Sequence, residues 1–470
     1  MDNIVIFGAS GGAVKVIKSL KTVGVTVMYV TDNNQAKWGS LCEEIKIIPP
    51  VDLKNIDCKI IIASVYQEEI EAQLNEMGIS GKIILKEEYI SDFLDKQSES
   101  LKAKLDKIPL IFGNKTSVLF DMMECSEYGG IEKWSYTVAK ELLDNGCRVN
   151  MIGDISILNA PEYLMDGFIQ CDIDYDNYYE SVCHVMEIVK SKMPCNIIVN
   201  RQGAALVAAA ILKKIYPEQI NILSVSHTDR IWLHRRVGYY KNVIDSSVCV
   251  SSQIARRLVR EFNVDKEKVH YMMSPVEHIE ENHDYHVSAE EAINIAFASR
   301  ITKAQKRADL IKELVLKLEK IKLNYKLNIA GEGDYLSKLK EFVSENNLSD
   351  RVKILGMLSE DEMPVYWKEQ DIYINTSEYE GTSIAMLEAM SYGVVPVVTK
   401  VSGADDVIVS GENGFICEQH DIDAMVKYIE TLAKDRNKIK EMGNKAGRAI
   451  CKKCDRKEYG RYIYNLCKVF

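Results

Sequence analysis

No apolar run in these 470 residues approaches the ~18–20 residues that a membrane-spanning helix needs. The N-terminus also lacks the pattern of a signal peptide. A basic excess is missing too. The formal net charge is −10, which argues against nucleic acid as the main partner, because a phosphate-backbone binder needs a cationic surface. Twelve cysteines are scattered without the spacing of a disulfide framework, as in a reduced cytosol. The one close pair, Cys451 and Cys454, has neither a second pair nor histidines nearby, so two exposed thiols near a terminal helix are expected rather than a zinc site. No internal repeat and no low-complexity tract competes with a globular reading. What remains is a soluble, cytoplasmic chain of about three domains, with 47% hydrophobic residues to fill sizeable cores.

The most informative stretch runs from Asp371 to Lys400. A short apolar strand (Ile372 to Ile374) breaks, a helix is expected from about Thr382 to Gly393, and a second apolar strand follows over Val394 to Val398. Ligands of parallel sheets gather at the carboxyl ends of such strands. Glu380 and Glu388 bracket the first helical turns, with Gly381, Thr382 and Ser383 between them. A helix start built from small residues presents N–H groups to an anion such as a diphosphate. Eight helical residues span roughly 12 Å, so two carboxylates at that spacing suit the hydroxyls at both ends of a nucleotide sugar.

Other stretches repeat the strand–turn–helix order. Near the N-terminus a strand ending at Phe7 meets the turn Gly8-Ala9-Ser10-Gly11-Gly12, then a helix, a second strand and Asp32. That is the order of a dinucleotide-binding half, although Ser10 and Ala13 stand where glycines would. The turn either binds a nucleotide or packs helix against sheet. Gly129 and Gly130 separate the strand Ser117 to Met122 from an amphipathic helix; the pair either aims N–H groups at a ligand or makes a tight turn. Arg300 and Lys306 follow the strand Asn294 to Ala298, where a guanidinium and an ammonium suit a pyrophosphate. Arg230, His234, Arg235, Arg236 and Lys241 make one segment basic. A solvated face is its default, an acceptor phosphate or a membrane surface the alternative.

The run EGTSIAMLEAMSYG, with the strand after it, resembles the Glu-x7-Glu signature of the retaining nucleotide-sugar glycosyltransferases of family 4, which have the two-domain GT-B fold. YGGIEKWSYTVAKELLDNGCRVNMIG resembles the opening of that family's N-terminal domain, and Gly411 to Gly414 its late turn. The resemblance covers about Thr116 to Phe470. It implies Glu388 on the ribose, Glu380 on the donor sugar, Gly356 and Met357 at the base, and a histidine facing the cleft at His227. It implies Arg300 and Lys306 on the diphosphate, with Lys306 displaced because the family's basic pair stands one residue closer together. No Asp-x-Asp metal motif stands in a matching place. The first unit, including DNNQAKWG, resembles small Rossmann-like domains fused to sugar-transfer and sugar-modifying enzymes.

The expectation is therefore an α/β chain with a Rossmann-like accessory domain over 1–95 and a linker over 96–107. A GT-B acceptor-side domain follows over 108–280, then a donor domain over 281–454 and a helix crossing back over 455–470. Its expected activity is metal-independent, hexosyltransferase-type transfer, with retention, from a nucleoside diphosphate sugar to a glycan, glycolipid or other polysaccharide acceptor. No cofactor is called for, and the location is cytoplasmic, with peripheral contact at the inner membrane face as the alternative. Two other functions stand beside it. One is an inactive nucleotide-sugar sensor or complex subunit. The other is an NAD-dependent oxidoreductase working through the Gly8 turn, although no Tyr-x-x-x-Lys pair follows that turn.

Overall fold

The computed structural model describes residues 3–110, 115–123, 129–158, 160–277, 285, 291–468 and 470. Three sheets follow one another along the chain. The first contains β1 (Ile4–Phe7), β2 (Val27–Thr31), β3 (Leu41–Cys42), β4 (Ile45–Ile48) and β5 (Lys59–Ile62). Its order is β3-β4-β2-β1-β5, parallel except for the β3–β4 edge. The second contains β6 (Ser117–Met122), β7 (Arg148–Gly153), β8 (Phe168–Gln170), β9 (Cys195–Val199), β10 (Ile220–Ser226), β11 (Ser246–Cys249) and β12 (Val269–Tyr271). Its order is β12-β11-β10-β9-β6-β7-β8. The third contains β13 (Ile293–Ala298), β14 (Tyr325–Ala330), β15 (Val352–Gly356), β16 (Ile372–Asn375), β17 (Val395–Thr399) and β18 (Phe415–Cys417), in the order β15-β14-β13-β16-β17-β18.

The central strands are buried on both faces, β6 and β10 along their whole length, which is why they read as near-continuous apolar runs rather than alternating ones. In each sheet the order reverses beside the first strand, so the switch points lie between β1 and β5, β6 and β9, and β13 and β16. In open α/β sheets, ligand crevices lie at the carboxyl ends of strands at such positions. This is the α/β architecture the sequence anticipates.

Two expectations are corrected by packing. Residues 96–107 are not a solvated linker: the helix Ser98–Leu105 buries Leu101 and Leu105 in the core of the second sheet. The helix before it, Lys86–Lys96, adds Ile90 and Leu94 to the same core. A polar-looking segment with leucines four apart puts both on one helical face, and that face is covered. Cys454 is buried while Cys451 is exposed, so the close cysteine pair is not two exposed thiols.

The last helix, Arg456–Leu466, lies against the helix Gly130–Asp144 of the second unit. Tyr459 accepts a hydrogen bond from Trp134 Nε1 at 3.0 Å, and Arg456 pairs with Glu141 at 2.8 Å. A Cβ at Gly460 would stand 2.2 Å from Glu141 Cβ, so this crossing requires glycine. The expected boundary at residue 280 lies outside the described residues, as does Tyr128. No helix among the described residues is long and apolar enough to cross a membrane.

Candidate functional site

The switch points of the second and third sheets face each other. From the third sheet, β13 delivers Arg300 and β16 leads into Glu380. From the second, β6 precedes Gly129 and Gly130, and β9 delivers Asn200 and Arg201. Gly130 opens one helix and Ile384 opens another. A Cβ on Gly130 would stand 3.4 Å from Ile384 Cδ1. Two helix N-termini, one from each half, therefore meet head to head. Both carry partial positive charge from unpaired N–H groups, so the space between them favours an anion.

Cationic side chains surround the same place. Lys306 Nζ lies 2.5 Å from Glu380 Oε1, and Ser377 Oγ donates to that oxygen at 2.8 Å. Lys133, on the first turn of the Gly130 helix, forms an ion pair across the cleft with Glu388. Arg300 Nη2 donates to Gln305 Oε1 at 2.7 Å. Both carboxylates expected to grip a ligand are thus held by ammonium groups, one within its own half and one from the other half. The extra residue between Arg300 and Lys306 does not remove Lys306 from the site.

The helix begins at Ile384, two residues later than its spacing suggests. Ser383 is its N-cap, accepting from Met386 N–H at 3.3 Å. Gly381 forms a β-bridge with Thr228, and Asp229 N–H donates to the Glu380 carbonyl at 3.1 Å. Thr382 Oγ1 donates to the Val250 carbonyl at 2.6 Å. A Cβ at Gly381 would collide with the His227 carbonyl at 2.1 Å. Gly381 and the Thr382 hydroxyl therefore stitch the two halves together, and the first turn of the helix from Ile384 follows directly.

His227 follows β10 of the second sheet. Its Nε2 stands 2.9 Å from Asn200 Oδ1, and its ring packs edge-on against Trp134 at 4.8 Å. Asn200 Nδ2 donates to the Asp121 carbonyl at 3.0 Å, so its oxygen must accept and His227 carries its proton on Nε2. Burial, with the nearby charge of Arg201 added, lowers the imidazole pKa to about 3, and the ring is neutral. Arg201 is itself paired with the buried Glu132 at 2.8 Å.

Gly356 and Met357 are not brought into this cluster. They end β15, two strands from β13, where Gly356 holds a φ of +75° and Met357 is exposed. The basic segment is neither a solvated face nor a free anion surface. Arg235 grips Glu71 at 2.7 and 3.1 Å, Arg236 pairs with Glu87 at 2.8 Å, and Arg230 donates to the Val65 carbonyl. His234 is buried against Asp229 at 2.8 Å. The three arginines dock residues 65–87 on the second unit, while His234 pairs within that unit.

At the first switch point the glycine turn is filled by its own chain. Gly8 has a φ of +107°, and a Cβ there or at Gly12 would stand 2.9 Å from the Ala63 carbonyl. Ser10 is the helix N-cap with no side-chain cap bond, and Gly11 faces open space. Asp32 accepts from Ala9 N–H at 2.7 Å, Asn34 N–H at 2.8 Å and Lys37 Nζ at 3.0 Å. Burial alone would raise its pKa, but these three donors outweigh it and hold the carboxyl below its usual range. Asp32, the acidic residue of the dinucleotide-binding order, is bonded within its own turn.

Sequence reasoning missed Lys133, Asn200, Arg201 and Tyr379, and read Arg230 only as part of a basic segment. Lys133 stands three residues after Gly130 and so shares its helical face, and Asn200 directly follows β9; both were within reach of topology. Arg230 and Tyr379 are joined only through contacts between units.

Residues 278–449 match the family described as "Glycosyl transferases group 1", and residues 1–85 match "C2185-like, N-terminal". The chain is 27% identical over 167 residues to N-acetyl-alpha-D-glucosaminyl L-malate synthase of Bacillus anthracis, covering 36% of this chain and 42% of that protein. It is 28% identical over 207 residues to lipopolysaccharide 1,6-galactosyltransferase of Escherichia coli K12, covering 42% and 55%. The chain thus spans about half the length of these curated relatives. Among solved structures, TarM superposes with a TM-score of 0.63 at 14% identity, covering 75% of this chain and 99% of that one. Anabaena HepE in complex with UDP and glucose superposes with a TM-score of 0.62 at 17% identity, covering 74% and 98%. The second and third sheets share the GT-B fold of these neighbours.

Proposed function

We propose that the protein is a retaining glycosyltransferase that moves a hexosyl group from a nucleoside diphosphate sugar to a glycan, glycolipid or other polysaccharide acceptor, without a metal. The carrying observation is the meeting of two helix N-termini, at Gly130 and Ile384, inside a ring of Lys133, Arg300 and Lys306 with two carboxylates among them. Such a place binds a dianion flanked by hydroxyls, which is the chemistry of a nucleotide sugar. The UDP and glucose held by the HepE neighbour support that ligand class, and the names of the two curated relatives support transfer to glycan-type acceptors.

The leaving group is a diphosphate, so the main catalytic task is stabilising charge that grows on it. Arg300 is the residue for that task, with Lys306 and the first turn from Ile384 beside it. Glu388 accepts from the ribose hydroxyls and Glu380 from those of the donor sugar. As hydroxyls replace the ammonium groups on these carboxylates, Lys133 and Lys306 turn to the phosphates. The acceptor enters on the side of Gly129, Gly130 and His227, and attacks from the face that the diphosphate leaves. Neutral His227 is a hydrogen-bond partner there, not a cation.

A thermal-shift panel of nucleotides and nucleotide sugars tests the ligand class, since a ligand at 100 times its Kd adds ~2.7 kcal/mol of apparent stability. One uridine or guanosine diphosphate sugar should stabilise the chain, and turnover should persist in EDTA. Stabilisation without turnover on any acceptor would mark a sensor. A shift by NAD alone would move the function to the first unit.

A further inference from the structure

Contacts from all three units converge on Tyr379, the residue before Glu380. Arg230 Nη2 donates to the carbonyl of Val65, in the loop at the first switch point, and its guanidinium lies 4.1 Å from the centre of the Tyr379 ring. On the other side Gln305 Nε2 donates to the Tyr379 carbonyl at 3.3 Å, while Gln305 Oε1 accepts from Arg300 at 2.7 Å. The Gln305 carbonyl accepts the Glu378 N–H at 2.8 Å. The neighbour of Arg230, Asp229, holds the Glu380 carbonyl through its N–H and is itself fixed by His234 at 2.8 Å and Arg257 at 2.9 Å. The first unit is pinned at this position by the Arg235–Glu71 and Arg236–Glu87 pairs.

We propose that Arg230 and Tyr379 are positioning residues, through which the N-terminal unit fixes the Glu380 loop and the Arg300 side chain for donor turnover. The inference rests on the proposed function and gives the first unit a part in it that needs no ligand of its own. A planar guanidinium can give its edge to a carbonyl while stacking its face on a ring; an ammonium can contact both groups but has no face to stack. If the ring tilts, the Tyr379 carbonyl moves, Gln305 follows, and Arg300 loses its partner. Misplacement of a catalytic group by about 1 Å costs on the order of 100-fold in rate.

The test uses the full chain and a nucleotide sugar that the wild type turns over. Arg230→Ala and Tyr379→Ala should each lower kcat on the order of ten- to a hundred-fold at saturating donor. Tyr379→Phe, which keeps the ring, should recover wild-type turnover, and Arg230→Lys only part of it. The double alanine variant should be no worse than either single one, because both break one linkage. Glu71→Gln with Arg235→Gln, which loosens the first unit without touching the cleft, should lower kcat in the same way, with Arg230→Ala adding nothing further. Hydrogen exchange over residues 376–381 without any ligand should quicken in Arg230→Ala and stay unchanged in Tyr379→Phe. Wild-type kcat in Arg230→Ala, additive losses, or unchanged exchange would each overturn the proposal. A wild type that turns over no nucleotide sugar overturns the proposed function instead, and the exchange measurement still decides whether Arg230 fixes the loop.

Discussion

The first and third units carry the same device, a turn between strand and helix at a topological switch point, and use it in opposite ways. In the first, the Asp32 carboxylate takes two N–H groups and an ammonium from its own unit, and the turn's glycines let Ala63 pack against it. In the third, the Glu388 carboxylate is held by Lys133 from the facing half, and the helix start at Ile384 meets Gly130 there. Asp32 is bonded wholly within its own unit. Glu388 is paired with a group from the facing half, and such a pair lies where a ligand between the halves would meet both partners. The shared topology says where a site can be; a counter-charge reaching across from the facing half distinguishes the third turn from the first.

The largest expected effect on this contrast comes from Arg300→Ala. Negative charge on the β-phosphate grows as the glycosidic bond breaks, so a cation there gains interaction in the transition state. Loss of one such contact costs about 2.7–4 kcal/mol, on the order of 100- to 1,000-fold in kcat. Steady-state assays of wild type and variant over the donor panel measure it. Undiminished turnover would remove Arg300 from the mechanism.

The next concerns where the first unit ends. A deletion through residue 104 uncovers the apolar groups that Ile90, Leu94 and Leu101 cover in the second core, at about 25 cal/mol per Å² of apolar surface. A deletion through residue 85 leaves those helices in place. Soluble expression with a cooperative melt is expected for the shorter deletion and aggregation for the longer. A folded product from the longer deletion would show that these helices are dispensable.

A smaller effect is expected from Asp32→Asn. Part of the turn's hydrogen bonding to a charged acceptor is lost, at about 1.5–3 kcal/mol before solvent screening reduces it for this partly exposed group. The melting temperature should fall while the KM for donor stays unchanged. A raised donor KM would give the first turn a share in donor binding.

At neutral pH the smallest effect is that of His227, which shows only as a pH dependence. The His227 pKa is lowered to about 3 in the folded chain, against ~6.5 when unfolded. Below the unfolded value the unfolded chain takes up a proton that the folded chain refuses, so stability falls as pH drops from about 6.5 toward 3. His227→Gln should flatten that slope of melting temperature against pH. The activity profile between about pH 5 and 8 should show no limb from this residue. A histidine limb near pH 6.5 that vanishes in His227→Gln would contradict the neutral assignment.

Much of this was legible in the sequence, for reasons particular residues make plain. Buried parallel strands write themselves as short apolar runs, so β6, β13 and β16 and the residues at their ends, Arg300 and Glu380 among them, could be placed from pattern alone. Spacing singles out Glu388 beside Glu380, and its ribose role comes from the resemblance. The rest was hidden because it lives between units. Nothing local to Arg235 and Arg236 says that Glu71 and Glu87 will meet them, and a basic run looks the same whether solvated or docked. Likewise Ser98–Leu105 looked like a linker because its two leucines are few, and only the second core shows what they cover. Asp32 completes the order of a dinucleotide-binding half, and nothing in that order says that Lys37, five residues on, will pair with it.

The most direct measurement is the thermal shift caused by one stabilising nucleotide sugar on three full-length chains: wild type, Glu388→Ala and Asp32→Asn. The account predicts that the shift is lost or strongly reduced in Glu388→Ala, because a ribose contact is made in the ground state, and kept in Asp32→Asn. A shift that survives in Glu388→Ala and disappears in Asp32→Asn would place the donor at the first switch point and contradict the account.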